Sequence, residues 1–191
     1  MGCGKSAAAE YISKNLADSL VLDVDLLAKE IYRKDSSVVE KISALFGKEI
    51  LKNDGSINFA RLGRIVFDDI YQMKKLNELM FPIINKNVEK FIKSNQDRKY
   101  IILDAAVLFN AGLDRFCDKI IYLTAGTKEQ EKFLKCKNSD MSIKDIRQRV
   151  CNQKIDIDMN KIDFIIENDS ALEDLREKIS LLIKKLRLKN N

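Results

Sequence analysis

"GCGKSAAAEYI", from Gly2 to Ile12, is the stretch on which the reading of the whole chain turns. The phosphate-binding loop has the form G-x-x-x-x-G-K-[ST], follows a buried strand and opens a helix. Gly4, Lys5 and Ser6 supply its last three fixed positions, and the chain begins before the first glycine of the pattern. A glycine turn ahead of a helix lets successive backbone N–H groups converge on a phosphate, and the helix N-terminus adds a favourable dipole. In that arrangement Gly2, Cys3, Gly4, Lys5, Ser6 and Ala7 surround the phosphates of ATP. Lys5 reaches the β and γ phosphates, and the Ser6 hydroxyl helps hold Mg²⁺. The ordinary alternative is a helix that merely starts with Gly-Lys-Ser.

Working outward, Ser6 to Ala17 has helical spacing through Tyr11, Ile12 and Leu16. "SLVLDVD" follows as a strand ending in Asp23 and Asp25, and strand alternation is expected to point both carboxylates the same way. In an open α/β sheet, ligands bind beyond the carboxyl ends of the strands. A carboxylate there can orient or deprotonate an attacking hydroxyl; its alternative is a helix N-cap for "LLAKEI". Residues 26–93 are mostly helical in pattern, with a turn at "NDGS" (Asn53–Ser56) and the single proline at Pro82.

"YIILDA" from Tyr100 and "KIIYLTA" from Lys119 are near-continuous apolar runs, as expected of parallel strands buried on both faces. Asp104 closes the first of them, where it can face Mg²⁺ through water or simply cap a helix. Residues 128–153 form a charged stretch with the character of a lid, offering Lys132, Lys135, Lys137, Arg147 and Arg149 as candidate phosphate contacts. "DFIIEN" reads as a last strand, followed by an amphipathic helix. Strands alternating with helices imply a three-layer α/β fold with a parallel sheet.

The chain has 191 residues, enough for one domain with a substantial core, and 46% hydrophobic against 33% charged residues is an ordinary folded balance. No apolar run approaches the roughly 20 residues needed to span a bilayer. With no signal-peptide pattern either, a cytoplasmic enzyme without membrane contact is expected. The net charge of +5 is spread among interleaved acids, which fits a polyphosphate ligand better than a nucleic acid. Cys3, Cys117, Cys136 and Cys151 are scattered, and there is no histidine. A zinc site is therefore not expected, and any general base must be a carboxylate, a lysine or water.

The order of motifs resembles the dephospho-CoA kinase family. It is carried by "GCGKS", "VLDVDLLAKEI" from Val21, "LFGKEILKNDGSINFARLGRIVF" from Leu45 and "LNELMFPII" from Leu76. "ILDAAVLFNAGL" from Ile102, "CDKIIYL" from Cys117, "RQRVCNQ" from Arg147 and "DFIIEN" from Asp163 complete it. The resemblance implies a P-loop kinase fold that moves the ATP γ-phosphate to the ribose 3′-hydroxyl of dephospho-CoA. It also implies Asp25 as the base with Lys5 as its catalytic partner, Asp23, Arg61 and Asp104 on the substrate, and Lys137 on ATP. The implied layout is one domain: a core of residues 1–34, 97–127 and 154–191, a helical CoA-binding insertion at 35–96, and a lid at 128–153. A monomer or weak homo-oligomer is expected.

The chain departs from the family at several points. Lys29 and Phe59 stand where Arg is usual, Phe81 where His is usual, and Ala106 and Asn110 where Pro and Glu are usual; Phe133 and Lys137 stand at the lid arginines. Lysine supplies charge without arginine's bidentate fork. Another small-molecule P-loop kinase of the nucleoside monophosphate type is the alternative enzyme, and Phe59, Phe81, Asn110 and the missing loop start keep open a vestigial nucleotide-binding protein. Family members carry a strand and two glycines ahead of the position of Met1, and that strand is central in the sheet. Its absence should leave neighbouring strands unpaired. About ten residues are therefore expected upstream of Met1 in the full protein, a matter for the upstream reading frame.

Overall fold

The computed structural model describes residues 3–126, 130, 157–169 and 172–189. Its order of elements is α1 (Lys5–Asn15), β1 (Ser19–Asp23), α2 (Val24–Lys34), α3 (Ser36–Phe46), α4 (Phe59–Asp68), α5 (Ile70–Lys93), β2 (Tyr100–Asp104), β3 (Ile121–Thr124), β4 (Phe164–Glu167) and α6 (Leu172–Lys189). Short 3₁₀ turns lie at Lys48–Ile50, Leu113–Phe116 and Met159–Lys161. The alternation of helices with parallel strands is the expected α/β class. Chain contacts divide it into two compact units, Met1–Asp23 with Ile92–Asn191, and Val24–Phe91.

In the first unit β1 pairs in parallel with β2, Ser19 beside Tyr100 through to Asp23 beside Asp104. β3 pairs in parallel with β4, Ile121 beside Phe164 through to Thr124 beside Glu167. Among the described residues no ladder joins β2 to β3, so the parallel sheet consists of two separate pairs. Both registers are pinned at their starts by side chains. Asp18, in a left-handed conformation with φ 58°, accepts from Arg98 Nη1 and the Lys99 N–H, each at 3.1 Å. Asp163 accepts from the Ile120 N–H at 2.9 Å and from Lys119 Nζ at 2.5 Å. β1, β2 and β3 are half-buried along most of their length rather than sealed on both faces, and β4 alternates exposed with covered residues.

One core serves both pairs. Ile12 of α1, Leu16 just after it, Leu123 of β3, Ile166 of β4, and Leu175, Ile179, Leu182 and Ile183 of α6 are buried together, with Tyr100 and Ile102 of β2 packed against them. Apolar residues at helical spacing on α1 and α6 thus turn one stripe inward.

The second unit is helical apart from one antiparallel bridge between Leu51 and Ile57, and its breaks follow capping chemistry. Asp35 accepts from the N–H groups of Ser37 and Val38 to start α3, and Asn58 from those of Ala60 and Arg61 to start α4. The expected turn at Asn53–Ser56 is present: Gly55 has φ 79° and the Asp54 carboxylate accepts from the Ser56 N–H at 2.9 Å. Leu76, Met80, Ile84 and Val88 bury one face of α5, which runs through Pro82.

Candidate active site

The phosphate-loop residues that the structure describes open α1 as the motif requires. Gly4 is left-handed, φ 85° and ψ 15°, and precedes the helical Lys5. A left-handed residue followed by a right-handed one aims successive N–H groups into one concavity, a nest that suits an anion. The Gly4 carbonyl accepts the first helical bond from Ala8 at 2.9 Å, so the loop passes directly into the helix. Lys5 is half-buried, and Ser6 and Ala7 are exposed on the first turn. Gly2 and Lys137 lie outside the described residues, as do Lys132, Phe133, Lys135, Arg147 and Arg149 of the expected lid.

Lys5 lines a cleft of about 230 Å³ together with Cys3, Ala106 and Phe109, and with Ile121 and Leu123 of β3. The cleft wall at Ala105 and Ala106 follows directly on Asp104, the last residue of β2. Asp104 is 8% exposed, and the β1–β2 register sets Asp23 beside it. Two carboxylates thus end adjacent strands on the side where α/β sheets bind ligands. Among the described residues no hydrogen bond or ion pair to the Asp104 carboxylate is formed, although buried charges are normally paired or coordinate metals. That is the chemistry of an oxygen donor for Mg²⁺, and the Ser6 hydroxyl is a second. Among the described residues no three His, Cys, Asp or Glu side chains cluster to hold a metal by themselves.

One geometric expectation is overturned. β1 stops at Asp23, and Asp25 lies in the first turn of α2, so the two side chains are not aligned by strand alternation. The reason is local: Val24 is buried at 1% exposure as the first helical residue, and an acidic residue in a first turn favours a helix N-terminus. Asp25 is exposed, one helical turn ahead of the exposed Lys29 on the same face.

The remaining predicted positions divide between exposure and packing. Arg61 is exposed, and its Nη1 donates to the Glu49 carbonyl at 2.8 Å, tying α4 to the 3₁₀ turn at Lys48–Ile50. Phe59 meets Tyr32 edge-on, with ring centroids 5.4 Å apart, so an apolar contact stands where charge was expected. Burial pushes the Tyr32 phenol up to about 12. Ala106 lines the cleft, and Asn110 is exposed.

Of the cysteines, Cys3 and Cys117 are free thiols, and Cys136 and Cys151 lie outside the described residues. Burial, helped by Asp114 and Asp118, pushes the Cys117 thiol up to about 11. That shift disfavours the thiolate, the nucleophilic form. No helix among the described residues is long and apolar enough to cross a membrane.

Sequence reasoning missed Asn168. It is 2% exposed and its Nδ2 donates to the Cys3 carbonyl at 3.1 Å. A single asparagine after a strand carries no spacing signal, and its partner is 165 positions away.

A family model described as dephospho-CoA kinase matches residues 1–174. A dephospho-CoA kinase of Fusobacterium nucleatum is 34% identical over 183 residues, covering 92% of this chain and 89% of that protein. One from Lactobacillus acidophilus is 32% identical, covering 96% and 92%. Among solved structures, a Thermus thermophilus protein superposes with a TM-score of 0.75 at 21% identity over 97% of this chain and 93% of that one. A dephospho-CoA kinase from Campylobacter jejuni gives 0.64 at 23% identity, over 100% and 95%. These two establish the fold, and the sequence relatives carry the family. With a glycine nest opening α1, paired carboxylates at the strand ends and a family match over nearly the whole sequence, the chain belongs to the dephospho-CoA kinase family.

Proposed function

We propose that this chain transfers the γ-phosphate of ATP to the ribose 3′-hydroxyl of dephospho-CoA, giving ADP and coenzyme A, the last step of coenzyme A biosynthesis. The observation that carries the reading is the nest at Gly4–Lys5 beside a cleft that Lys5 shares with the residues following the buried Asp104.

The roles follow from charge. Backbone N–H groups of Cys3 to Ala7 and the Lys5 ammonium bind the ATP phosphates, with Gly2 and Lys137 as further contacts. Lys5 stabilises charge that moves onto the β–γ bridging oxygen as that bond breaks. Ser6 and Asp104 are the residues that would hold Mg²⁺, and the metal would supply neutralisation of phosphate charge. Asp25 takes the proton of the 3′-hydroxyl as its oxygen bonds to phosphorus. With no histidine in the chain, a carboxylate is the natural acceptor. Asp23 and Arg61 orient dephospho-CoA. The helical residues 35–96 hold the CoA moiety, residues 128–153 form the lid, and the core comprises residues 1–34, 97–127 and 154–191. The enzyme acts in the cytoplasm as a monomer or weak homo-oligomer, without nucleic acid or membrane.

Purified protein with ATP, Mg²⁺ and dephospho-CoA is expected to form ADP and coenzyme A in equal amounts. Preference for a nucleoside monophosphate as acceptor would overturn the reading. Asp25→Asn is expected to lower kcat roughly 10²–10⁴-fold with ATP affinity within about twofold of wild type, because an acid–base group acts mainly in the transition state.

A further inference from the structure

We propose that Asn168 is a positioning residue of the phosphate loop, aiming the Gly4 N–H through its hydrogen bond to the Cys3 carbonyl. This rests on the reading of Gly2–Ala7 as the ATP phosphate site.

The Cys3–Gly4 peptide is a rigid plane in which C=O and N–H point in opposite directions. A donor that fixes the carbonyl on one side therefore fixes the N–H on the other. Asn168 Nδ2 is that donor, at 3.1 Å and fully buried. The asparagine is itself held. Its backbone N–H donates to the Thr124 carbonyl at 2.8 Å, one rung beyond the last β3–β4 pair, so the end of that ladder is wired to the loop.

Gly4 and Asn168 form a matched pair. A Cβ on residue 4 would lie 2.7 Å from Asn168 Nδ2 and 3.3 Å from Leu175 Cδ2. Glycine is thus required there twice, for its φ of 85° and for the room the amide occupies. The residue type at 168 is equally specific. An aspartate has the same shape but cannot donate to a carbonyl, and it would place negative charge behind a loop that binds polyphosphate. A neutral amide does the one job without the other effect.

The test uses Asn168→Asp, which removes the donor at constant shape, and Asn168→Ser, which is smaller and falls short of the carbonyl. Both are compared with wild type in steady-state kinetics and in equilibrium titration with a non-hydrolysable ATP analogue and Mg²⁺. Losing a buried donor is expected to weaken analogue binding and raise the KM for ATP roughly ten- to hundredfold. The KM for dephospho-CoA should stay within about twofold. A merely structural role would lower the active fraction and leave both KM values at wild type. If Asn168→Asp does not fold, Asn168→Ser carries the measurement. Wild-type ATP affinity in the folded variants would overturn the proposal alone. No analogue binding by the wild-type protein would take down the phosphate-loop reading, and the proposal with it.

Discussion

A lysine at the start of a helix meets the positive end of the helix dipole, and such ends favour acids. Lys5 occupies that position in α1, whose first turn contains no acidic residue to offset it. In the absence of an anion the arrangement is mildly unfavourable, and triphosphate relieves it. Lys5→Ala is therefore expected to lose about a hundredfold or more in kcat, while thermal melting without nucleotide stays unchanged or rises slightly. A large fall in the melting temperature of the free protein would contradict this account. At Phe59 the balance is reversed. Its edge-on contact with Tyr32 holds α4 against α2. Phe59→Arg should cost about 1 kcal/mol in urea unfolding, and if residues 35–96 hold the CoA moiety it should lower the KM for dephospho-CoA.

Among the elements, the pH dependence of stability has a specific source. The Cys117 thiol, next to the 3₁₀ turn at Leu113–Phe116, is pushed up to about 11 by burial first and by Asp114 and Asp118 second. An unfolded thiol ionises near pH 9. The folded state then holds a proton that the unfolded state has released. The stabilisation is complete below about pH 9 and is lost as pH rises toward 11. Urea midpoints followed over that window should fall, and Cys117→Ser should remove part of the slope. Asn58→Ala, which leaves the Ala60 and Arg61 N–H groups uncapped, is expected to cost about 1 kcal/mol by the same method.

The same scale shows what the sequence made legible. Apolar runs located all four strands of the described residues, because burial demands them whatever the neighbours. The end of β1 was misplaced by two residues, since "LDVDLL" satisfies strand alternation and a helix start alike; only the burial of Val24 separates them. The helix breaks at Asp35 and Asn58 did carry capping residues that could have been read. Within the proposed site, Lys5, Ser6 and Asp104 are candidates that motif and strand-end position single out. Asn168 was not, because its meaning arises only when the end of β4 meets the loop before α1.

At the scale of the whole molecule, α6 packs against α1 and β4 and supplies much of the buried core. Ile179 is wholly buried there, among Leu175, Leu182 and Ile183. Ile179→Ala should cost about 2–5 kcal/mol, lowering the melting temperature by roughly 5–15 °C. An exposed α6 position such as Leu181, 55% exposed, should tolerate the same change within about 0.5 kcal/mol.

The two strand pairs are linked by side-chain packing and by no shared ladder among the described residues. Among the described residues the coupling between them passes through the packing of α1 and α6, and packing transmits opening less strictly than a continuous run of backbone hydrogen bonds. In native-state hydrogen exchange the amides of Leu20 to Leu22 and of Tyr122 to Leu123 should fall into two groups with separate opening free energies. Ile179→Ala should bring the β3–β4 group toward exchange before the β1–β2 group, so that one protein shows two thresholds of protection.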